Sequence, residues 1–394
     1  MIVAAAGLML AGSMVSNASA DAGVSFSGDA RARGFYIQDY VYGELNKNND
    51  FDTSFWDSRV RLKFKGESKG GAYAVARVRL SEGTWDGTKQ TRALGEGSNI
   101  YTDYAYIGAP MGPVTVEAGM MPFNVTTFSV YDVRVDGLHI KYAADTTTLV
   151  AFYHKVDEYD ETAVAVVPDG LNADGTAKTK TVSTDYLNDD DVDRYGVLLD
   201  QKFGGGWGLV GAVWMVNNDQ GEGDGVAATA EVTGTIGTVG VLADVAWYEA
   251  DYAGTPDDNL GLYAQVAAPM GAVTLAAGAG MTKDGFVADG DFGPFNMLSD
   301  VSNIASGIAI GTGGDTNFAA LVPSMKVSEQ LTLTGVVAYA DIDNPTYESA
   351  LEVSGSAAFA VTDGATLTAG LGYLDFDGMD NPEVGAGLIL DVTF

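Results

Sequence analysis

The feature that most restricts this chain is alternation. From residue 22 onward, apolar and polar residues repeat every second position rather than every 3.6. Trp56, Ser58, Val60, Leu62 and Phe64 alternate with Asp57, Arg59, Arg61, Lys63 and Lys65. Ala74, Ala76, Val78 and Leu80 alternate with Val75, Arg77, Arg79 and Ser81; Val24, Phe26, Gly28, Ala30 and Ala32 alternate with Ser25, Ser27, Asp29, Arg31 and Arg33. A helix would scatter Arg59, Arg61, Lys63 and Lys65 over several faces. A strand puts all four on one face and the apolar set on the other. No stretch of about ten residues after the N-terminal segment reads as a helix, so an all-β chain is predicted.

Turn signals divide the strands. Short ones fall at Ser68-Lys69-Gly70-Gly71, Ala109-Pro110-Met111-Gly112, Ala144-Asp145-Thr146, Gly204-Gly205-Gly206, Gly234 to Gly237, Ala268-Pro269-Met270-Gly271, Ser328-Glu329-Gln330 and Thr362-Asp363-Gly364. Longer polar connections lie between them, the largest at 38–53, 83–98, 158–191 and 283–312. Alternating short and long connections predict an antiparallel up-and-down barrel with tight turns on one rim and long loops on the other. Eight short turns and nine long connections imply 18 strands. If one hairpin is misread, 16 remain; the weakest strand candidates are 226–234 and 315–326.

Alternation also fits a secreted β-sandwich with its apolar face inward. Small and medium apolar residues, as in Gly261 to Ala268 and Gly385 to Leu390, fill a core less well than bulky ones. Aromatics fall near strand ends: Tyr101, Tyr104, Tyr106, Phe203, Trp207, Trp247, Tyr248, Tyr339, Tyr373 and Phe376. Rings so placed form the interfacial girdles of membrane barrels. The last strand sets Ala386, Leu388, Leu390, Val392 and Phe394 on one face. Residues 1–20 read as an export signal, with an apolar run and Ala18-Ser19-Ala20 before Asp21, although no Lys or Arg precedes the run. No later apolar segment is long enough for a helical span, so any membrane span must be made of strands.

Charge narrows the partners. The 394 residues hold 53 acidic and 21 basic side chains, a formal charge of −32, which argues against nucleic acid. With no cysteine and two histidines, thiol, disulfide and Cys-ligated metal chemistry are excluded, and no catalytic constellation is marked. His139 and His154 flank the Ala144-Asp145-Thr146 turn without a marked serine partner. Twelve of the 21 basic residues lie at or before Arg92. Arg31, Arg33, Arg59, Arg61, Lys63, Lys65, Arg77 and Arg79 occupy the polar faces of the first three strands. Neighbouring strands would join them as one basic patch on a wet inner wall. Their alternative role is wall ion pairing with Asp29, Asp57 and Asp103. The acids crowd the connections, as at Asp189-Asp190-Asp191 with Asp193, Glu222 with Asp224, Asp257-Asp258, and Asp284 with Asp289 and Asp291. Such oxygen-only clusters suit Ca²⁺ or Mg²⁺ bridging lipopolysaccharide, but none has calcium-loop spacing, and solvated loops are the preferred reading. No cofactor is called for.

Taken together, the export signal, the absence of cysteine, the alternating connections and the terminal Leu390-Asp391-Val392-Thr393-Phe394 resemble a Gram-negative outer-membrane porin. The resemblance implies a single barrel over 21–394, a homotrimer, and an assembly signal in Leu388, Leu390, Val392 and Phe394. It also implies that the third long loop, 121–137, folds inward as a constriction. Asp132 and Asp136, with Glu117 nearby, would then face the basic wall, although the loop lacks a Pro-Glu-Phe-Gly-Gly type of motif. Passive diffusion of ions and small hydrophilic solutes is the leading expectation. A selective channel for anionic solutes is the second, and a structural or adhesive envelope barrel the third.

Overall fold

The computed structural model describes residues 23–39, 52–85, 100–157, 162–171, 177–185, 192–218, 223–290, 292, 293, 295–297 and 309–394. The export-signal reading, Asp189 to Asp191, Glu222 and Asp291 lie outside these residues.

Twenty strands are present among the described residues: β1 (Gly23–Gln38), β2 (Thr53–Glu67), β3 (Tyr73–Thr84), β4 (Tyr101–Met111), β5 (Val114–Phe123), β6 (Val133–Ala143), β7 (Thr147–Asp157), β8 (Thr162–Leu171), β9 (Ala177–Asp185), β10 (Val192–Lys202), β11 (Gly208–Asn218), β12 (Gly225–Ile236), β13 (Val239–Tyr248), β14 (Asn259–Met270), β15 (Val273–Lys283), β16 (Thr316–Lys326), β17 (Leu331–Ile342), β18 (Ser349–Thr362), β19 (Ala365–Phe376) and β20 (Glu383–Thr393). Eighteen of them form one antiparallel sheet in which each pairs with its sequence neighbours, β7 pairing with β10 across the β8–β9 hairpin. The sheet closes where β1 pairs with β20, Ala32 facing Leu390 and Ala30 facing Val392. Gly28 and Phe394 complete that seam with reciprocal backbone bonds of 2.8 and 3.0 Å. Closure leaves no edge to be satisfied elsewhere.

The eight short turns join β2–β3, β4–β5, β6–β7, β10–β11, β12–β13, β14–β15, β16–β17 and β18–β19, all on one rim. The two weakest strand candidates are full members, β12 and β16. Two connections differ from the sequence reading. The 158–191 span, read as a polar loop, contains the β8–β9 hairpin, which pairs with no other strand among the described residues. The span 121–137 is mostly strand: Met121–Val135 and Phe123–Val133 continue the β5–β6 ladder, leaving 124–132 as the connection. Val133, Val135, Met121 and Phe123 are β-branched or large and apolar, which suits ladder positions.

The two faces follow the pleat. Leu138, Ile140 and Tyr142 on β6, Val213 and Met215 on β11, Leu351 and Val353 on β18, and Leu388 and Leu390 on β20 point outward and are exposed. Their strand neighbours Val135, His139, Trp214, Glu352 and Ile389 point inward and are buried. An apolar exterior around a mixed interior is the inverse of a soluble fold, and is stable only against an apolar medium. Part of the expected girdle sits outside, at Phe203, Tyr339 and Tyr373. Tyr104 and Phe376 instead point inward and are buried, because their strand parity, not their nearness to an end, sets their side.

Candidate functional site

The inward faces of β1, β2 and β3 bring the early basic residues together. Arg31 lies opposite Arg59, Arg61 opposite Arg79, and Lys63 opposite Arg77. Carboxylates are set among them. Asp57 accepts from Arg33 Nη2 at 2.7 Å, and Asp29 accepts from Arg61 Nε at 2.9 Å. Arg59 Nη2 lies 3.8 Å from Asp29. Asp103 binds three arginines: Arg77, Arg79 at 2.8 Å and Arg134 at 3.1 Å. A register shift between Arg77 and Val78 makes room for Asp103, which has no partner residue opposite it on β3 and is nearly fully buried. Several guanidinium groups also lie over aromatic rings, Arg77 over Tyr104 at 4.5 Å and Arg79 over Tyr101 at 5.4 Å. Lys63 differs: it is exposed, neighbours Arg77 and Lys65, and has no carboxylate partner among the described residues.

The connection 124–132 crosses to the far side of the barrel. Ser129 Oγ lies 2.7 Å from Thr229 Oγ1 on β12, and Thr126 Oγ1 lies 2.8 Å from Ser129 Oγ. Phe128 is fully buried, its ring 5.9 Å from Tyr263 on β14 and 6.5 Å from Phe318 on β16. Three of four residues from Phe123 to Thr126 are apolar or β-branched, which suits a segment lying on protein rather than in water.

A second connection, between β15 and β16, also packs on the inner wall. Phe286 and Phe292 stack on Phe128 with centroids 5.2 and 4.7 Å apart. Tyr131 N–H donates to Asp289 Oδ2 at 2.9 Å, and Asp289 N–H donates to the Phe128 carbonyl at 3.0 Å. Glu352 on β18 accepts the Asn296 and Met297 amides at 2.9 and 3.2 Å, while Asn296 Nδ2 donates to Ser354 Oγ at 2.9 Å. Between β17 and β18, Tyr347 is buried against Phe376 with centroids 5.5 Å apart, and burial raises its hydroxyl pKa above the ordinary tyrosine value.

Beside the tip of 124–132, Glu231 and Asp244 face each other directly on β12 and β13. Asp244 is 4% exposed, with the Thr126 hydroxyl and the Phe128 backbone amide beside its carboxylate. β13 is half the eighteen-strand circuit from β2 in either direction. Basic wall and carboxylate pair therefore stand on opposite sides of one lumen, with two connections between them.

The three predicted acidic residues have separate places. Glu117 is on the inner wall, where it accepts from the Tyr73 hydroxyl and lies 3.9 Å from His139 Nδ1. Asp132, at the end of the connection, accepts from Arg134 Nη1 at 2.9 Å and so joins the Asp103 cluster through that arginine. Asp136 does not face the basic wall. It lies within β6 opposite Met120 and Lys155, on the exposed row that continues as Leu138 and Ile140. The reason is the strand extension: once β6 begins at Val133, the parity of the pleat fixes where Asp136 points.

No family model and no curated protein sequence matches the chain. Solved structures do. It is similar to a BenF-like porin from Pseudomonas fluorescens Pf-5, at 12% identity and a TM-score of 0.59, over 94% of this chain and 98% of that one. It is equally similar to Pseudomonas aeruginosa OpdK with vanillate, at 11% identity and 0.59, over 94% and 98%. A third is Pseudomonas aeruginosa OccK2 (OpdF) in complex with glucuronate, at 12% and 0.59, over 96% and 99%. The chain has the outer-membrane porin fold.

Within that fold, sequence reasoning missed Arg134, Glu231, Asp244 and Glu352. Arg134 stands two residues after Asp132 in sequence, but its role depends on Asp103, 31 residues earlier. Glu231 and Asp244 each occupy the polar parity of a recognisable strand, and a charge on that parity in an otherwise Ala- and Val-rich segment was the available signal.

Proposed function

We propose that the protein is a channel of the Gram-negative outer membrane, carrying ions and small hydrophilic solutes by passive diffusion through a water-filled lumen. The observation that carries this is the opposition, across one closed barrel with an apolar exterior, of the basic wall on β1–β3 and the pair Glu231–Asp244. Charges so opposed give a transverse field, focused across the water by low-dielectric walls, which orients dipolar solutes and disfavours apolar ones. Residues 1–20 act as the removable export signal, and residues 121–137 supply a constriction through their central part. Arg31, Arg33, Arg59, Arg61, Lys63, Arg77 and Arg79 form its basic side. Leu388, Leu390, Val392 and Phe394 guide assembly, and the working form is a homotrimer in contact with lipopolysaccharide.

The test is conductance of the purified protein in planar bilayers. Step-like single-channel currents are expected; a protein that folds in detergent micelles and never conducts refutes the reading.

A second reading, a selective channel for small anionic solutes, is favoured by Lys63, an exposed wall cation without a carboxylate partner among the described residues. It also draws support from the vanillate and glucuronate complexes of the similar structures, since both compounds are carboxylates. Saturable uptake of a carboxylate, absent for a neutral solute of the same size, separates it from simple diffusion.

A further inference from the structure

Away from the basic wall, separated from it by β4 to β7, one arginine stands apart. Arg194 is the only arginine after Arg134 in the chain. It is the third residue of β10, close to the rim that carries the long connections. Its strand neighbour Tyr195 is 43% exposed outward, so Arg194 points inward. It faces His154 on β7 and Val216 on β11 in one cross-strand row. The next inward row is Phe152, Gly196 and Trp214.

Three buried polar atoms in this patch have no hydrogen-bond partner among the described residues: Arg194 Nε, Trp214 Nε1 and His154 Nδ1. Trp214 is 2% exposed and His154 1%. Buried polar atoms are nearly always satisfied, so three in neighbouring positions point to one missing partner. Gly196 is what lets them gather. A Cβ there would run into the Phe152 ring, the Val213 carbonyl and the Trp214 side chain, so the rings close over the bare backbone. The Arg194 guanidinium carbon lies 5.8 Å from the Trp214 ring centroid. Phe152 and His154 stack at 4.5 Å with an interplanar angle of 15°.

The histidine pair completes the donor set. His139 Nε2 and His154 Nε2 are 2.8 Å apart, so one of them carries the shared hydrogen. When His139 Nε2–H donates to His154 Nε2, neutral His154 carries its own hydrogen on Nδ1 and can donate it. Guanidinium, indole N–H and imidazole N–H then offer donors and no acceptor. No carboxylate among the described residues is paired with Arg194.

We infer that Arg194, Trp214 and His154 form a carboxylate-binding subsite near the long-connection rim, distinct from the basic wall on β1–β3. A guanidinium edge takes a carboxylate through two parallel hydrogen bonds, and the surrounding Phe152 and Trp214 rings favour a carboxylate borne on a flat or aromatic body. The inference rests on the channel reading only in that the carboxylate arrives through the lumen; it adds a stopping point before the wall.

Sodium benzoate is the probe, applied to the full-length protein in planar bilayers, with interruption of single-channel current as the readout. Arg194→Gln is expected to weaken the block about tenfold, the loss that follows a charge-assisted pair, and Trp214→Phe about threefold, since it keeps a ring and removes one donor. Arg194→Lys restores the charge without the planar fork and falls between wild type and Arg194→Gln. Heat-modifiable migration on a gel verifies that each variant folds. Unchanged block in folded Arg194→Gln overturns the inference, and if block is lost in Arg59→Gln/Arg61→Gln at the same time, the wall alone binds carboxylates and the channel stands. If the wild-type protein does not conduct, the channel reading fails by itself. Saturation-transfer NMR of benzoate with the protein in micelles then decides the subsite: transfer lost in Arg194→Gln supports it, and transfer retained overturns it.

Discussion

The backbone N–H of Asn296 donates to Glu352 Oε1 at 2.9 Å, joining residues 56 apart in the chain. The other oxygen of the same carboxylate accepts from Met297 at 3.2 Å, and Ser354 Oγ donates to Oε1 at 2.5 Å. A fully buried side chain on β18 thus fastens the β15–β16 connection to the inner wall.

Glu352→Ala leaves two buried amides and a hydroxyl without their acceptor, at about 1–3 kcal/mol for each unsatisfied group. The fastening is expected to fail before the barrel does. Single-channel conductance should rise while the heat-modifiable barrel band persists; conductance equal to wild type would mean the connection stays in place without its carboxylate.

The opposed charges give a selectivity prediction of definite sign. Replacing Arg59, Arg61, Arg77 and Arg79 with Gln removes positive charge from one side of the lumen and should move the reversal potential in a salt gradient towards cations. Glu231→Gln with Asp244→Asn should move it towards anions. Asp103→Asn should also move it towards anions, because Arg77, Arg79 and Arg134 lose their common carboxylate. No shift in any of the three would place these groups away from the ion path.

The 124–132 connection can be locked in position. The chain has no cysteine, and Ser129 Oγ and Thr229 Oγ1 are 2.7 Å apart. The double variant Ser129→Cys/Thr229→Cys should therefore form a disulfide under mild oxidation, since the two side-chain oxygens that the sulfurs would replace are already in contact. Thiol titration before and after oxidation reads it. Conductance should be nearly the same in both states, as expected of a connection already resting on β12; a large drop on oxidation would show that it normally sits elsewhere.

Closure at the seam is open to a simpler test. Gly28 exchanges two backbone bonds with Phe394, and a Cβ added at Gly28 would meet the Phe394 ring at 2.7 Å. Gly28→Val should displace that ring and reduce the amount of folded barrel recovered from membranes, measured by the heat-modifiable band. Phe394→Ala should have the same effect by removing the ring. Normal yield of both would mean that the seam is held by the β1–β20 ladder alone.

Much of the barrel was legible in the chain. Trp56 to Lys65 could only be a two-faced strand, because four cations at every second position share a face in no other regular structure. The short turns were legible because Gly, Pro and Asp report local backbone demands. The boundaries of β5 and β6 were less so. Pro122, Asn124 and Asp132 look like loop residues, yet the ladder continues through Phe123 and resumes at Val133 because cross-strand packing outweighs local preference. The place of Asp136 on the exposed row of β6 follows directly from that boundary.

Alternation and turn spacing pointed to an antiparallel up-and-down arrangement of eighteen or sixteen strands and to which residues share its two faces. Those properties are local: each depends on a residue and its immediate neighbours along one strand. What only the tertiary structure decided is what fills the lumen. Phe128 meets Tyr263, Asn296 meets Glu352, and Arg134 meets Asp103 only after the sheet has curved round and closed. Curvature brings distant strands to opposite sides of one space, and no periodicity within a strand records which residue will stand across it.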